Sequence, residues 1–401
     1  MPHASVSCTN DARSTTRARG YLLDAGKVTM STSTTNRRVA HFTSAHPPFD
    51  TRIFHKECRT LADAGYDVTL FAPDAPEGTT DGVRLIAIPR EQGRVRRLVL
   101  GNLRLFRKLL AHKADVYHFH DPELLPLGLL LRLARRHVVY DAHEHVRFSI
   151  GSRDYLPRPL ALGVARATWA LEQLVSRLGA HVVTATPTIA AQFRPERCTV
   201  IGNFPNLTEF EDVSSGSVDR DPTTGVYIGG LSEERCLEEI YDALSLAKET
   251  DERLSLIMAG PVDGIRHPAD IEGVDYRGVV DRPTVANLIA GSAFGLVLFH
   301  ALPNTIDALP TKFFEYAAAG TPVIVSTSTV QLSRIAQEEE CGLVVDETSP
   351  EDIANAMRQM LDNPIDARAM GERARQAVVA RYNWAPEATR LLDLYSRLTN
   401  S

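Results

Sequence analysis

Two carboxylates and a lysine close together in one short stretch offer the clearest chemistry in this chain. Asp307 and Glu315 lie eight residues apart in ALPNTIDALPTKFFEYAAAGTPVIV, Ala301 to Val325, with Pro310 and Lys312 between them. The pattern predicts a polar loop, a short helix that Gly320 ends as a C-cap residue, and a buried strand from Pro322 to Val325. A helix N-terminus beside a cation, followed by a carboxylate, suits the phosphates and ribose of a nucleotide. An ordinary capped surface helix would carry the same pattern, so the stretch needs company.

Company comes from a glycine pair. Gly229 and Gly230 follow the apolar run GVYI, and Arg235 comes shortly after, at the expected start of a helix. A diphosphate there would meet free N–H groups and a fixed cation, although a plain tight turn also explains the pair. The spacing is not the glycine fingerprint of a dinucleotide fold. Earlier in the chain, His118 and His120 fall on one side of a strand by the period of two. Zinc is one reading of them, but no third ligand stands at motif spacing. His120, at the strand's end, is the better candidate for touching a substrate, and His143 with Glu144 is a weaker one.

These residues need elements to position them. RVAHF, DVTLFAP, VRLIAI, DVYHFH, HVVYDA, HVVTAT and TVIGNF read as strands separated by helical patterns, with Asp50 capping the first helix. GVYIGG, RLSLIMAG, VDYRGVV, FGLVLFH, PVIVST and CGLVV repeat the logic. The expectation is an α/β protein of two doubly wound, Rossmann-like domains. Residues 1–37 read as a disordered extension, with Met30 an alternative start. The domains span 38–205 and 224–383, residues 206–223 read as a linker, and residues 384–401 form a closing helix. Ligands in such sheets bind beyond the carboxyl ends of the strands. Those positions carry Thr43, Ser44, His46, Asp50, His118, His120, Asp141 and His143 in the first half. In the second half they carry Gly229, Gly230, Gly260, Gly278, His300 and Ser326. One half brings titratable groups and the other brings glycines.

Composition bounds the rest. The chain has 401 residues, 44% hydrophobic and 23% charged, with a formal net charge of -6, which gives no argument for nucleic acid. Its five cysteines are scattered without metal-ligand spacing, which fits a reducing, cytoplasmic setting without a disulfide framework. No apolar run approaches the roughly 18 residues that span a bilayer. Arg90 to Lys113 is basic and amphipathic, and it suggests contact with an anionic membrane surface, or else a solvated helix face.

The segments YIGGLSEER, LIMAG, YRGVV and PTKFFEYAAAGTPVIVS resemble the retaining glycosyltransferases of family 4, which have the GT-B fold. HPPFDTRIFHKECRTLADAGYDVTLFAPD and DVYHFHDPELLP are similar to that family's first-domain segments, in a form common among bacterial surface-polysaccharide enzymes. The resemblance implies metal-independent transfer of a hexosyl group from a UDP- or GDP-linked donor, without a cofactor, to a glycan or lipid-linked acceptor. It implies that Glu315 binds the ribose hydroxyls, that the stretch Asp307, Ala308 and Leu309 meets the donor sugar, and that His120 touches that sugar. The backbone at Gly260 and Val280 would line the donor site, with Val280 facing the base. Arg235 and Lys312 would hold the diphosphate. His46, Asp50, Arg52, His118 and His143 would lie on the acceptor side, and the final helix would cross back to the first domain. Two departures stand out: the family's arginine after the first glycine is Gly230 here, and Asp307 replaces a glutamate. They keep two alternatives open, a nucleotide-sugar-binding subunit without turnover and a nucleotide-sugar epimerase.

Overall fold

Alternating apolar runs and capped helices build two parallel sheets, each covered by helices on both faces. The computed structural model describes residues 37–89, 100–143, 158–213 and 218–400. All of these fall within one contact-dense unit, Asn36–Ser401. The N-terminal extension, the first part of the basic stretch at 90–99, and Glu144 lie outside the described residues.

The first sheet has eight strands: β1 (Arg38–Phe42), β2 (Asp67–Pro73), β3 (Gly78–Thr80), β4 (Val83–Ile88), β5 (Val116–Phe119), β6 (His137–Ala142), β7 (His181–Thr184) and β8 (Cys198–Val200). Their order is β3-β4-β2-β1-β5-β6-β7-β8, parallel except for the edge pair β3 and β4. The short edge strand β3 was not foreseen. It is a three-residue antiparallel return of which no side chain is buried, so it has no hydrophobic pattern to read.

The helices of this half are α1, a wide turn over Ile53–Cys58 that continues as Arg59–Asp63, then α2 (Asn102–His112), α3 (Leu125–Leu133), α4 (Arg158–Arg177) and the single turn α5 (Pro187–Ala190). Asp50 starts α1 as expected: its Oδ1 accepts from the N–H groups of Arg52 and Ile53, both at 2.9 Å. Strand residues alternate between two cores. Val39, Val68 and Leu70 face α1, while Ala40, Phe42 and Phe71 face α2 and α3. Of the apolar residues of α2, Leu105 and Leu109 are buried in the second of these cores, while Leu103 stays 47% exposed. Packing therefore accounts for much of the amphipathicity of the basic stretch.

The second sheet is wholly parallel. Its main strands are β9 (Asp221–Ile228), β11 (Ser255–Ala259), β13 (Val274–Tyr276), β14 (Ser292–Val297), β15 (Val323–Ser326) and β16 (Gly342–Val345), in the order β13-β11-β9-β14-β15-β16. Two further strands, β10 (Leu231–Ser232) and β12 (Val262–Asp263), pair with each other just beyond the ends of β9 and β11. Around them run α6 (Leu237–Lys248), α7 (Arg282–Ala290), α8 (Thr311–Ala318), α9 (Val330–Glu338), α10 (Pro350–Asp362) and α11 (Pro364–Arg381).

The stretch read as a linker is packed in its described parts. Phe210 is fully buried in the second domain's core, and β9 already begins at Asp221. Its polar composition hid one anchoring aromatic. The last helix, α12 (Trp384–Thr399), crosses back to the first domain. Trp384, Leu391, Leu394 and Tyr395 join the core of α1 and β1, and Trp384 Nε1 donates to Thr60 Oγ1 at 2.9 Å. Among the described residues no helix is long and apolar enough to cross a membrane.

Candidate active site

Parallel strands point their carboxyl ends the same way, and the glycines predicted there do converge. Gly229 N–H bonds Ala259 O at 2.9 Å, and Gly260 N–H bonds Gly278 O at 2.8 Å. A Cβ at Gly260 would stand 1.9 Å from Gly229 O, so the crossing of these two strand ends requires glycine. Gly229 itself has φ +118°, and Tyr227 Oη donates to Gly230 O at 3.0 Å, fixing the turn.

Against this turn stand two cations. Lys312, in the first turn of α8, lies beside Gly229, with Nζ 3.8 Å from the Tyr227 ring centre and 5.6 Å from that of Phe299. Arg235 stacks over the same Phe299 ring at 5.8 Å and donates to Ser232 Oγ at 2.9 Å. No side chain caps α8, so its first N–H groups add to the positive field. Lys312 Nζ is buried without a hydrogen-bond partner, and among the described residues neither cation forms an ion pair. Burial, and then Arg235, pull the Lys312 ammonium well below the ordinary lysine range, while Glu315 opposes them. A cationic, glycine-floored site whose cations have no ion-pair partner among the described residues is built to receive an anion.

Glu315 is 5% exposed, three residues further along the same helix. Arg282, just inside the start of α7, donates Nη2 to its Oε1 at 2.7 Å and also holds Glu209 Oε2 at 2.7 Å. From the first domain, Lys56 on α1 enters the same electrostatic neighbourhood. Its ammonium is buried, bonds Asn203 Oδ1 at 2.7 Å, and is pulled down to about 7 by burial, against the attraction of Glu315. Glu315 therefore sits where the two domains meet. Asp307, Ala308 and Leu309 lie in a turn organised by the buried Thr305, whose Oγ1 donates to His300 O at 2.7 Å and accepts from Leu302 N–H at 3.0 Å. Asp307 is half-buried there, Ala308 N–H bonds Thr305 O, and Leu309 packs on the core, as does Val280 after the fully turned-out Val279.

The first domain differs from expectation. His118 and His120 do share one side, with rings stacked at 4.6 Å, but that side is interior and both are essentially unexposed. His41, paired in register with His118, completes a chain of buried rings. Tyr395 Oη of α12 lies 2.9 Å from His118 Nδ1 and 3.1 Å from His41 Nε2. His41 Nδ1 lies 3.0 Å from His120 Nε2, and His120 Nδ1 lies 3.1 Å from Asp141 Oδ2. Arg52 closes the chain with two bonds to Asp141 at 2.8 and 2.9 Å. While these bonds hold, neither nitrogen of His120 is left for a sugar. Arg52 and His118, expected on the acceptor side, are likewise engaged inside the domain, as an ion-pair hub and a ring of this chain, while the half-buried Asp50 serves as a helix cap.

Burial pushes His41 and His118 well below the histidine range and lifts Glu57 well above the carboxylate range. His41, Glu57, His118 and His120 carry donor atoms within 4.8 Å of one another, as do Cys236, Glu239 and His300. Among the described residues, these are the groups that could hold a metal. In the first set, the Arg52 guanidinium already lies 3.2 Å from Glu57 Oε1 and supplies positive charge. His46 and His143 are partly exposed, and their rings meet edge-on at 5.2 Å. His46 Nδ1 is 2.9 Å from Asp121 Oδ1. Burial lowers the His46 pKa, but Asp121 outweighs that and lifts it to about 9, while Asp121 falls to about 2. His143 Nδ1 lies 3.3 Å from Asp141 Oδ2.

Sequence reasoning missed Lys56, Arg282, Asp121 and Tyr395. Lys56 carried a signal, because it lies four residues after Arg52 on one helix face. Arg282 and Tyr395 carried none, since their partners lie far away in sequence.

The chain matches the family described as glycosyl transferase 4-like domain over residues 51–203, and the one described as glycosyl transferase-like over residues 237–393. It is 26% identical over 363 residues to a phosphatidyl-myo-inositol mannosyltransferase of Mycobacterium tuberculosis, covering 84% of this chain and 90% of that protein. It is 24% identical over 402 residues to a glycogen synthase of the same organism, covering 86% and 90%. Among solved structures, sucrose-phosphate synthase from Thermosynechococcus elongatus is similar with a TM-score of 0.69 at 19% identity, over 90% of this chain and 99% of that one. HepE of Anabaena in complex with UDP-glucose reaches 0.65 at 13% identity, over 90% and 99%. At these identities the structural likeness shows the fold.

Proposed function

The chain belongs to the glycosyltransferases of GT-B fold, a glycosyl transferase 4-like domain joined to a glycosyl transferase-like domain, and from that premise we propose that it transfers a hexosyl group from a UDP- or GDP-linked donor to a glycan or lipid-linked acceptor. Transfer retains the anomeric configuration, needs no metal and takes place in the cytoplasm, in polysaccharide assembly. The observation that carries this reading is Lys312, a buried ammonium without a hydrogen-bond partner set against the Gly229–Gly230 turn beside Arg235. Transfer breaks the bond between the anomeric carbon and the diphosphate, and the electron pair leaves with the diphosphate. Lys312, Arg235 and the N-terminus of α8 stabilise that charge where it develops. The acceptor hydroxyl attacks the same face and gives its proton to the departing phosphate oxygen. Glu315, with Arg282 on one carboxylate oxygen, holds the ribose. The acceptor enters beside the partly exposed His46 and His143, and Asp307 meets the donor sugar.

Incubation with a panel of UDP- and GDP-hexoses and candidate acceptors tests this. We expect release of nucleoside diphosphate that chelators leave unchanged, and a product whose anomeric proton coupling matches the donor's. Thermal stabilisation by a donor without turnover would identify a binding subunit instead, and product from donor alone an epimerase. The proposal fails if no nucleotide sugar binds or reacts.

A further inference from the structure

A cysteine, a glutamate and a histidine, each able to ligate a metal, come together next to the donor cradle, and none of them is used in it. One donor atom each from Cys236, Glu239 and His300 lies within 4.8 Å of the other two. The fold supplies them in two pieces. Cys236 is the residue before α6, and Glu239 follows it by three residues, one helical turn along. His300 belongs to the segment after β14, and its N–H bonds Glu234 O at 3.0 Å, which pins it against the turn that carries Cys236. Cys236 N–H bonds Glu233 O at 2.9 Å, and the residue stands at φ +55°, a left-handed conformation uncommon outside glycine. His300 Nε2 and Glu239 Oε1 are 3.4 Å apart. Ligand atoms on a tetrahedral zinc stand roughly 3.3–3.6 Å from each other, so this pair is already at ligating separation.

Electrostatics favours a cation at this point. Cys236 is a free, buried thiol, and burial, then the charges of Glu239 and Glu347, push it above the ordinary thiol range. The thiol therefore keeps its proton unless a metal displaces it. Among the described residues Glu239 has no ion-pair partner besides His300. The buried set in the first domain differs on both counts: His41 and His120 bond each other, and Arg52 already stands beside Glu57. Access differs too, since the Glu239 and His300 side chains are 25% and 28% exposed.

We propose that Cys236, Glu239 and His300 bind a zinc ion, with water in the fourth position. Sulfur and imidazole nitrogen suit zinc, whereas magnesium and calcium take oxygen ligands. As the bond from sulfur to zinc forms, the S–H bond breaks and its proton passes to solvent. The ion ties the turn that carries Arg235 to the segment after β14, whose His300 carbonyl also accepts from Thr305 Oγ1. It braces the wall of the cradle and uses none of the groups assigned to the diphosphate, so it is a structural ion and takes no part in transfer. The proposal holds whether or not a nucleotide sugar binds.

Full-length protein, stripped with a chelator under a phosphine reductant and desalted, is titrated with zinc chloride in a calorimeter. We expect one zinc per chain, with proton release that shows as a dependence of the heat on buffer ionisation enthalpy. The melting temperature should rise with zinc and stay unchanged with magnesium. Cobalt(II) in place of zinc should give a near-ultraviolet thiolate-to-metal charge-transfer band, and Cys236→Ser should remove it. Glu239→Gln and His300→Ala, at partly exposed positions, should each weaken zinc binding at least tenfold, and they decide the matter if Cys236→Ser fails to fold. Absence of zinc binding overturns the proposal. So does zinc bound as tightly by Glu239→Gln and His300→Ala as by the parent, or a cobalt band that persists in Cys236→Ser, since either puts the ion on other residues.

Discussion

Lys312 and His46 show opposite ways of placing a positive charge. His46 has its anion: Asp121 raises its pKa from the ordinary 6.5 to about 9, against the pull of burial. The folded state therefore binds this proton more tightly than the unfolded chain does. The stabilisation is fully present below about pH 6.5 and is lost as pH rises through about 9. It amounts to about 2–3 kcal/mol from the size of the shift. His46→Ala should lower stability at pH 6 and have little effect at pH 10, in denaturant unfolding followed across that range. An equal deficit at both ends would show that the pairing contributes nothing. Lys312 lacks an anion, and its pKa is depressed. Lys312→Met should leave the ligand-free protein as stable as the parent or more so, by about 1 kcal/mol, since the buried cation costs stability that the thioether does not. Stability lost in that variant would mean that an internal partner holds the ammonium.

At the scale of elements, capped helices and β-branched strands were legible because their signals are local. Asp50 caps α1 and Gly320 ends the turn after α8, each beside the pattern it punctuates. The placement of Gly229, Gly230, Gly260, Arg235 and Lys312 was legible for the same reason, since all follow strand ends or open helices. Illegible features were those decided by distant packing. Phe210 looked like part of a linker, and His120 looked available until His41 of β1 and Asp141 of β6 closed around it. The Tyr395 hydroxyl of α12 serves two buried imidazoles, so Tyr395→Phe leaves both short of a partner. It should cost about 1–3 kcal/mol of stability, measured by chemical unfolding, while nucleotide affinity stays within about twofold. A variant of parental stability, or one that loses nucleotide binding, would contradict this division of labour.

As a whole molecule, the protein places a cationic, glycine-floored cradle in one domain and partly exposed histidines in the other. Glu315 and Lys56 lie where the two domains meet, and α12 ties the last helix to the first sheet. The central claim is that the cradle receives a nucleotide diphosphate. Calorimetric titration of UDP and GDP into the parent and into Lys312→Met tests it most directly. The account predicts saturable binding of at least one nucleotide to the parent, and affinity at least tenfold weaker in the variant. Binding of equal strength in both proteins, or none in the parent, would contradict it.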